Sequence, residues 1–432
     1  LVFTDSVQDA AHRAGFVQSR SHVFSLRNAI RSAVGDYPIA LDALVDALLT
    51  RAGDDRFDRY RLLAPDISEH DNFREFWQSP TGRAIPAAVM RRVRKRLLLD
   101  VELEFGLQSR VGRTLEMTGS VAAEVDAGTP GKLEAIGRAA LTGFEREAQL
   151  GEIEPAELFS DTVVRWVRGV LERMRDRGAI EHEWFRKYIE NDGNRYFVWG
   201  GRPRGEGMPA FPKGRDAPGY PRVGNAQAGT QKTQLDVVGS AQSWFASWAR
   251  KVLRVTPSDG ARLTRKLLEE LQKEGILGAT AIGATGATAY QLSPGRITVS
   301  PVSDDNLVAG AHLLVCDVCK NPVTGSVQVI DQLADGPCGS PRCPGAMRRT
   351  KQDQNYYRKL YNDGDMRRVV AREHTSLLED KVRLAFEDGF KASIEEPDAP
   401  NVLVATPTLG MGIDIGDLST VMLAGLPKSV AS

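Results

Sequence analysis

Apolar and polar positions divide the chain into two strand-like ends and a mostly helical middle. The first three residues are apolar, and Asp5 or Ser6 then offers an N-cap for a helix. Residues 401–405 form a valine-rich run typical of a buried parallel strand, and residues 421–424 form another. From about residue 25 to residue 189, apolar residues recur at helical spacing. These patterns predict an α/β fold with both ends of the chain in one parallel sheet. About 330 residues are then inserted between the first and second βα units of that sheet.

Two segments of the middle have a composition or pattern of their own. Glycine and proline crowd together between residues 200 and 229, which predicts a linker over residues 200–235. Residues 260–275 predict a helix that ends at a glycine, and the strand-like segments after it enclose a glycine-rich tip. A helix followed by a hairpin resembles a winged helix, here over residues 236–300 with a third strand at 296–299. An ordinary α+β packing unit is the alternative.

Composition and charge exclude few classes of protein. The 432 residues are 42% hydrophobic and 26% charged, which is ordinary for a globular protein. Neither a long apolar run nor a signal peptide can be recognised, so we expect no membrane span and a cytoplasmic location. The formal net charge is zero, so charge gives no general argument for nucleic-acid binding. Two basic runs, at residues 91–96 and 348–351, are interpreted as solvated faces or as local contacts with nucleic acid.

The four cysteines of the chain all lie in one short segment, at Cys316, Cys319, Cys338 and Cys343. A secreted disulfide scaffold would spread its cysteines through a smaller chain, so the clustering predicts a metal site. The two short spacings, with two and four residues between the paired cysteines, can place four thiolates around one Zn²⁺. Such a site is closed and structural, because no position remains for water. Four buried free cysteines or a redox pair are the alternatives.

Two further groups of residues have possible functional roles. One group lies near the cysteines in sequence, and the other consists of two tryptophans. Lys320 and Arg342 lie close enough in sequence to lower thiol pKa values. His312 could replace one cysteine ligand, although a hydrogen-bonded surface or core histidine is the plainer interpretation. Trp244 and Trp248 are four residues apart, which favours core packing over the stacking of bases.

The strongest functional signal is residues 402–418, which read Val-Leu-Val-Ala-Thr-Pro-Thr-Leu-Gly-Met-Gly-Ile-Asp-Ile-Gly-Asp-Leu. A buried strand runs into a loop that carries threonine, glycines and aspartate. In an α/β sheet, ligand sites lie beyond the carboxyl ends of the strands. Small residues let a backbone approach a phosphate, and a carboxylate there can accept from a ribose hydroxyl or orient water.

This stretch resembles motif V of the superfamily-2 DEAD/DEAH-box helicases. Residues 1–11 resemble motif IV as it occurs in large bacterial helicases, and residues 356–378 resemble the strand and turn that follow it there. The resemblance is strongest to long bacterial helicases with a cysteine-rich domain, among them phage-defence and DNA-repair helicases. It covers the two ends of the chain, and the long insertion matches only loosely.

The resemblance implies a RecA-like second motor lobe that is split by the insertion. It implies that Ser6 and Thr406 contact a nucleic-acid backbone, with His374 as a further contact or else a hydrogen-bonded loop histidine. Gly412 and Asp414 are implied contacts of ATP, which would bind with Mg²⁺ and be shared with a missing first lobe. The expected partners are DNA rather than RNA, the N-terminal motor lobe, and other defence or repair proteins.

The sequence departs from this family in two respects. Gly410 stands where the family usually has Glu, which would weaken the coupling to ATP. A Gly-x-x-x-x-Gly-Lys-Thr phosphate loop, an Asp-Glu-x-His box and the arginine-finger run of motif VI are not found in the sequence. We therefore expect a fragment of an ATP-dependent helicase or translocase, truncated before motif VI and unable to hydrolyse ATP alone. The alternative is a non-catalytic, zinc-containing scaffold that binds nucleic acid or proteins.

The predicted organisation has six segments, with the two parts of the motor lobe at the ends. The segments are residues 1–30 for the first part of the lobe, 31–199 for the helical insertion, 200–235 for the linker, 236–300 for the winged-helix-like unit, 301–350 for the four-cysteine zinc unit and 351–432 for the second part of the lobe.

Overall fold

The chain has a mixed α/β architecture in a computed structural model, which describes residues 2–3, 7–148, 159–199, 206–212, 214–224, 233–283, 286–362, 366–392, 395–406, 420 and 422–423. The helices, numbered in chain order, are α1 (Val7–Ala33), α2 (Leu41–Ala52), α3 (Arg56–Leu62), α4 (Asp71–Gln78), α5 (Ala87–Phe105), α6 (Pro130–Ala148), α7 (Ser160–Asp176), α8 (Arg186–Glu190), α9 (Tyr196–Trp199), α10 (Trp244–Leu253), α11 (Pro257–Lys273), α12 (Asp304–Val308), α13 (Val327–Leu333), α14 (Tyr356–Asn362) and α15 (Asp380–Lys391). The strands are β1 (Val2–Phe3), β2 (Ile39–Ala40), β3 (Val121–Val125), β4 (Pro221–Val223), β5 (Asp236–Val237), β6 (Leu277–Ile282), β7 (Ala287–Leu292), β8 (Ile297–Pro301), β9 (Leu313–Cys316), β10 (Pro322–Thr324), β11 (Met347–Arg349), β12 (Ala371–His374), β13 (Val402–Ala405) and β14 (Met422–Leu423). None of the helices in these ranges has the length and apolar character needed to cross a bilayer.

The residues cluster into two compact units. The first comprises Leu1–Ile30, Leu48–Val93 and Asp363–Ser432, and the second comprises Arg31–Ala47 and Arg94–Asn362. Residues 48–93 lie within the range predicted as helical insertion, and they cluster with the two ends of the chain.

In the first unit, four parallel strands form a sheet in the order β12-β13-β1-β14. Within β1, Val2 lies opposite Val404 of β13 on one side and opposite Met422 of β14 on the other. The prediction that both ends of the chain share one parallel sheet is therefore confirmed. The RecA-like identity of this sheet stays a prediction.

Helices contact both faces of this sheet. On one face, Ala10 of α1 packs with Ala371 of β12 and Val404 of β13 in a buried cluster. Successive side chains of a strand point to opposite faces, and on the other face His374 of β12 bonds to Glu387 of α15. Coverage on both sides explains why β13 is continuously apolar rather than alternating.

A second core of the first unit is aromatic and is formed largely by α3, α4 and the start of α5. Its buried members are Tyr60, Leu63, Ala64, Ile67, Phe73, Phe76, Trp77, Val89, Val93 and Val370. Arg368 is buried against this core, with its guanidinium 3.8 Å from the centre of the Tyr60 ring. It donates to the carbonyls of Tyr60 and Leu63, and burial lowers its pKa to about 10. Arg368 thus adds a charged donor at the carboxyl end of α3, where the Tyr60 carbonyl also accepts from the amide of Leu63 over 3.2 Å.

Helices α6, α7, α10 and α11 pack on one another in the second unit. Helix α10 approaches α7 closely at Gly169, where a Cβ atom would lie 2.3 Å from the ring of Trp248. The Trp248 Nε1 donates to the carbonyl of Trp166 over 3.0 Å. Trp244 stacks on Trp248, with 5.7 Å between ring centres and an interplanar angle of 14°. The predicted core packing of Trp248 is confirmed, and Trp244 is half-buried beside it.

The core of the second unit also contains buried charges. Arg175 of α7 donates to both carboxylate oxygens of Glu116, at 2.8 and 3.2 Å, and to Glu172 at 2.8 Å. Arg168, one turn before Glu172, is 3.3 Å from the same carboxylate. Burial alone would raise the pKa of Glu172, but the guanidiniums of Arg175 and Arg168 hold it below its usual range. Each of these charges therefore has a partner, as burial requires.

The region predicted as a winged helix contains only part of that arrangement. Strands β6 and β7 form the expected antiparallel hairpin after α11. The predicted third strand, β8, does not join this hairpin and pairs instead with β2 and β3. The hairpin is extended through β7 by β4, which lies in the segment predicted as a linker. Helix α11, which precedes the hairpin, also packs against α6 and α10.

Candidate metal centre and strand-end site

The four cysteines lie on two loops at one end of a small antiparallel sheet. That sheet has the order β10-β9-β11. Cys316 is the last residue of β9, and Cys319 lies in the turn that leads to β10. Cys338 and Cys343 lie in the loop before β11, which pairs with β9 on its other edge. Because β9 is the central strand, its two neighbours bring both loops to the same end.

The geometry of the four sulfur atoms fits a tetrahedral metal ion. All four Sγ atoms lie within 4.8 Å of one another. The Sγ atoms of Cys316 and Cys343 are 3.6 Å apart, and those of Cys319 and Cys338 are 3.5 Å apart. Zn–S bonds of about 2.3 Å in a tetrahedron require sulfur atoms about 3.8 Å apart. The four cysteines are free rather than joined in disulfides, so all four thiolates are available to a metal.

Backbone amides donate to the sulfur atoms. Cys316, Cys338 and Cys343 each accept an N–H at 3.4 Å from a residue two or three positions further on. The amide of Asn321 lowers the pKa of Cys319 to about 6. Burial raises the pKa of Cys338 to about 12, so this thiol would need a bound cation to ionise at neutral pH.

The residues that the sequence placed beside the cysteines have other roles. Lys320 has a left-handed backbone with φ of 59° and donates its ammonium to the Asp317 carbonyl over 2.8 Å. The largest influence on the nearby Cys319 thiol is an amide rather than Lys320 or Arg342. His312 is outside the sulfur cluster. It is buried, with its ring nitrogens 2.8 and 3.1 Å from two backbone carbonyls, as the hydrogen-bonded interpretation predicted.

Helix α10 contributes contacts to this centre that the sequence did not reveal. The Lys251 ammonium lies within 3.0 Å of three carbonyl oxygens of the second cysteine loop. Trp244 Nε1 donates to the Gly339 carbonyl over 2.7 Å, and the Ser247 hydroxyl donates to the Pro341 carbonyl over 3.3 Å. These partners are roughly 90 residues apart in sequence, so local patterns give no signal for them.

The strand ends of the parallel sheet form the second candidate site. Thr406 follows β13 and is 6% exposed, and its amide donates to the carbonyl of His374 over 3.4 Å. His374 is 2% exposed, and its Nε2 lies 2.7 Å from Glu387. Its Nδ1, like the hydroxyl of Thr375, has no hydrogen-bond partner among the described residues. For His374 this arrangement matches the hydrogen-bonded alternative, and both His374 and Thr406 expose little surface to nucleic acid.

The other predicted contacts of this site fall on residues whose structure is not described. Ser6, Gly412 and Asp414 all lie outside the described ranges, as does Gly410. Their predicted roles at the nucleic-acid backbone and at ATP therefore stay predictions. The strand pairing does place Phe3 opposite Ala405, so the segments that carry Ser6 and Thr406 leave neighbouring strands at the same edge.

The two basic runs are largely neutralised by acidic side chains. The ion pairs are Arg94–Asp46, Lys95–Glu183, Arg96–Asp100, Arg348–Asp335 and Arg349–Asp331. These pairs leave less free positive charge than the sequence suggests, so the runs provide little support for a nucleic-acid contact.

No protein-family model matches the chain, and no match was found among curated proteins or solved structures. The inference of function therefore depends on the four-cysteine cluster and on the parallel sheet that joins the two ends of the chain.

Proposed function

We propose that this chain carries the second motor lobe of an ATP-dependent nucleic-acid helicase or translocase, with a structural zinc centre in its insertion. The observation that supports the lobe is the β12-β13-β1-β14 sheet, in which residues from both ends of the chain are neighbours. The residues after β1 resemble helicase motif IV, and those after β13 resemble motif V. Parallel α/β sheets bind their ligands at the carboxyl ends of the strands.

In this proposal, residues at the strand ends contact the phosphate backbone of a nucleic acid and make no contacts that depend on its base sequence. Thr406 supplies a hydroxyl and Ser6 another, and Gly412 and Asp414 face ATP and its Mg²⁺. A first lobe with a phosphate loop completes the nucleotide site, since no such loop is found in the sequence. This chain alone therefore binds nucleic acid weakly and does not hydrolyse ATP. Single-stranded DNA is the expected ligand.

The zinc centre in this proposal stabilises the fold and takes no part in chemistry. Cys316, Cys319, Cys338 and Cys343 would hold the ion and fill its four tetrahedral positions. A filled coordination shell has no place for an activated water. The centre would therefore hold β9, β10 and β11 and their loops together.

The experiment is a binding titration of the 432-residue chain with fluorescent single-stranded DNA, repeated at several salt concentrations. Binding to phosphates predicts that log K falls linearly with log salt, with a slope of about −0.7 for each phosphate contacted. Thr406→Val removes one hydroxyl and keeps the shape of the side chain. Loss of one hydrogen bond of about 0.5–1.5 kcal/mol should weaken binding by about twofold to tenfold.

Thr298→Val is the matched control, because Thr298 is a half-buried strand residue of β8 in the other unit. It should leave the affinity for DNA unchanged. Binding that is absent at low salt, or equally weak in both variants, would contradict the motor-lobe proposal. Zinc in the chain without any binding to DNA would instead favour a protein-binding scaffold.

A further inference from the structure

One face of α10 holds nearly every backbone carbonyl of the second cysteine loop. Trp244, Ser247 and Lys251 lie three and four residues apart and so share one side of the helix. The carbonyls that they bind belong to residues 338, 339, 340, 341 and 343. Of the six residues from Cys338 to Cys343, only Arg342 has no carbonyl bond to this face in the described structure.

Lys251 makes most of these contacts. Its ammonium lies 2.9 Å from the Cys338 carbonyl, 2.6 Å from that of Ser340 and 2.8 Å from that of Cys343. An ammonium has three N–H donors, so the three carbonyls use all of them. Within the described part of the chain, no carboxylate forms an ion pair with Lys251, and its charge lies beside two of the four metal ligands.

Four thiolates and one Zn²⁺ carry a net charge of −2, which is costly to hold in a partly buried site. Cys316 and Cys338 are buried, so water screens this charge only in part. A fixed positive charge at the backbone of two ligands lowers that cost. The same bonds restrict the loop before any ion arrives, so less conformational freedom is lost on binding.

We propose that Lys251 is a positioning residue of the metal centre, which fixes the second cysteine loop and offsets the negative charge of the four thiolates. This inference depends on the proposed zinc centre. Trp244 and Ser247 assist by holding the two carbonyls that Lys251 does not reach. Metal binding and the packing of α10 are therefore coupled, although α10 contains no ligand.

The test measures zinc affinity in the full chain by competition with a coloured chelator. Lys251→Met keeps the length of the side chain and removes its charge and donors, and it should lower the affinity by about 10- to 100-fold. Lys251→Arg keeps the charge, but its planar fork cannot donate to three converging carbonyls, so its affinity should lie between those of Lys251→Met and the unaltered chain. Lys273→Met is the control, because Lys273 is exposed and pairs with Glu270 on α11.

Substitution with Co²⁺ separates the charge from a merely structural role. A positive charge near the thiolates stabilises their electrons and raises the energy of the sulfur-to-cobalt charge-transfer band. Lys251→Met should therefore shift this band to longer wavelength, whereas Lys251→Arg and Ser247→Ala should leave it in place.

The outcomes distinguish this inference from the proposal on which it depends. A chain without stoichiometric zinc would overturn the metal centre itself. A chain that binds zinc, with unchanged affinity and an unchanged cobalt spectrum in Lys251→Met, would overturn the role of Lys251 alone. Circular dichroism of each variant shows whether the helices are retained, and Lys251→Arg keeps the test decisive if Lys251→Met does not fold.

Discussion

Gly345→Ala should disrupt the metal centre through a single added methyl group. Gly345 follows the last cysteine by two residues, and its amide donates to the Sγ of Cys343 over 3.4 Å. Its carbonyl accepts from the amide of Cys338 over 2.8 Å. Gly345 has no left-handed backbone that would itself disfavour alanine, so the effect of the substitution is steric.

The size of the effect follows from distances in the structure. A Cβ at Gly345 would lie 2.5 Å from the Sγ of Cys316, 2.6 Å from Asp317 Oδ1 and 3.0 Å from the Cβ of Val318. Non-bonded heavy atoms prefer about 3.5–4.0 Å, so the sulfur or the loop must move by about 1 Å. Metal ligands tolerate only about 0.2 Å. We expect zinc affinity to fall by at least about tenfold, which corresponds to about 1.4 kcal/mol.

The assay is the zinc content of the purified chain, followed by chelator competition. Gly339→Ala is the matched control within the same cysteine loop, since its Cβ would meet nothing closer than Trp244 at 3.8 Å. It should retain the zinc affinity of the unaltered chain. If Gly345→Ala also retained it, the sulfur positions in this structure would not be those that hold the ion.

Two further predictions concern charges buried in the second unit. Burial, and then the negative charge of Glu181, raise the pKa of Glu102 well above 4.5, so the folded chain retains a proton that the unfolded chain releases. This contribution to stability is complete below pH 4.5 and is lost as pH rises towards the folded pKa, by about 1.4 kcal/mol per pH unit. In Glu102→Gln the urea midpoint of unfolding should fall less steeply with pH than in the unaltered chain. Equal slopes in the two chains would contradict a raised pKa at Glu102. Arg175→Met leaves Glu116 and Glu172 without their shared partner and should lower the free energy of unfolding by about 3–5 kcal/mol. If the free energy of unfolding in urea fell by less than about 1 kcal/mol, Arg175 and its two glutamate partners would not be desolvated.

Local sequence patterns were sufficient where neighbouring residues determine the outcome. The valine-rich run at β13 predicted a strand covered on both faces, because only such a strand is apolar at every position. The spacings around Cys316 and Cys338 predicted two loops that could share one ion, since each pair of cysteines lies on one turn. For the same reason the spacing of Trp244 and Trp248 predicted that one face of α10 would be packed.

The sequence could not predict partners that are far apart along the chain. β8 has the composition of a strand, but nothing local shows that it pairs with β2 and β3 rather than with the hairpin before it. On α7, Arg168, Glu172 and Arg175 have the spacing of a solvated helix face, and only the tertiary packing buries them. Lys251 likewise resembles any surface lysine until the cysteine loop is placed against it.

The pairing of β1 has a consequence for the order in which the protein can form as it is synthesised. Val2 must find Val404 and Met422, and a ribosome adds about 5–20 residues each second. The first strand therefore waits roughly 20–80 s before either partner exists. For most of that time, until β12 and β13 are synthesised, the apolar side of α1 lacks the strands on which it later packs. The second unit has all of its residues by Asn362, so it can fold while the sheet of the first unit is still incomplete.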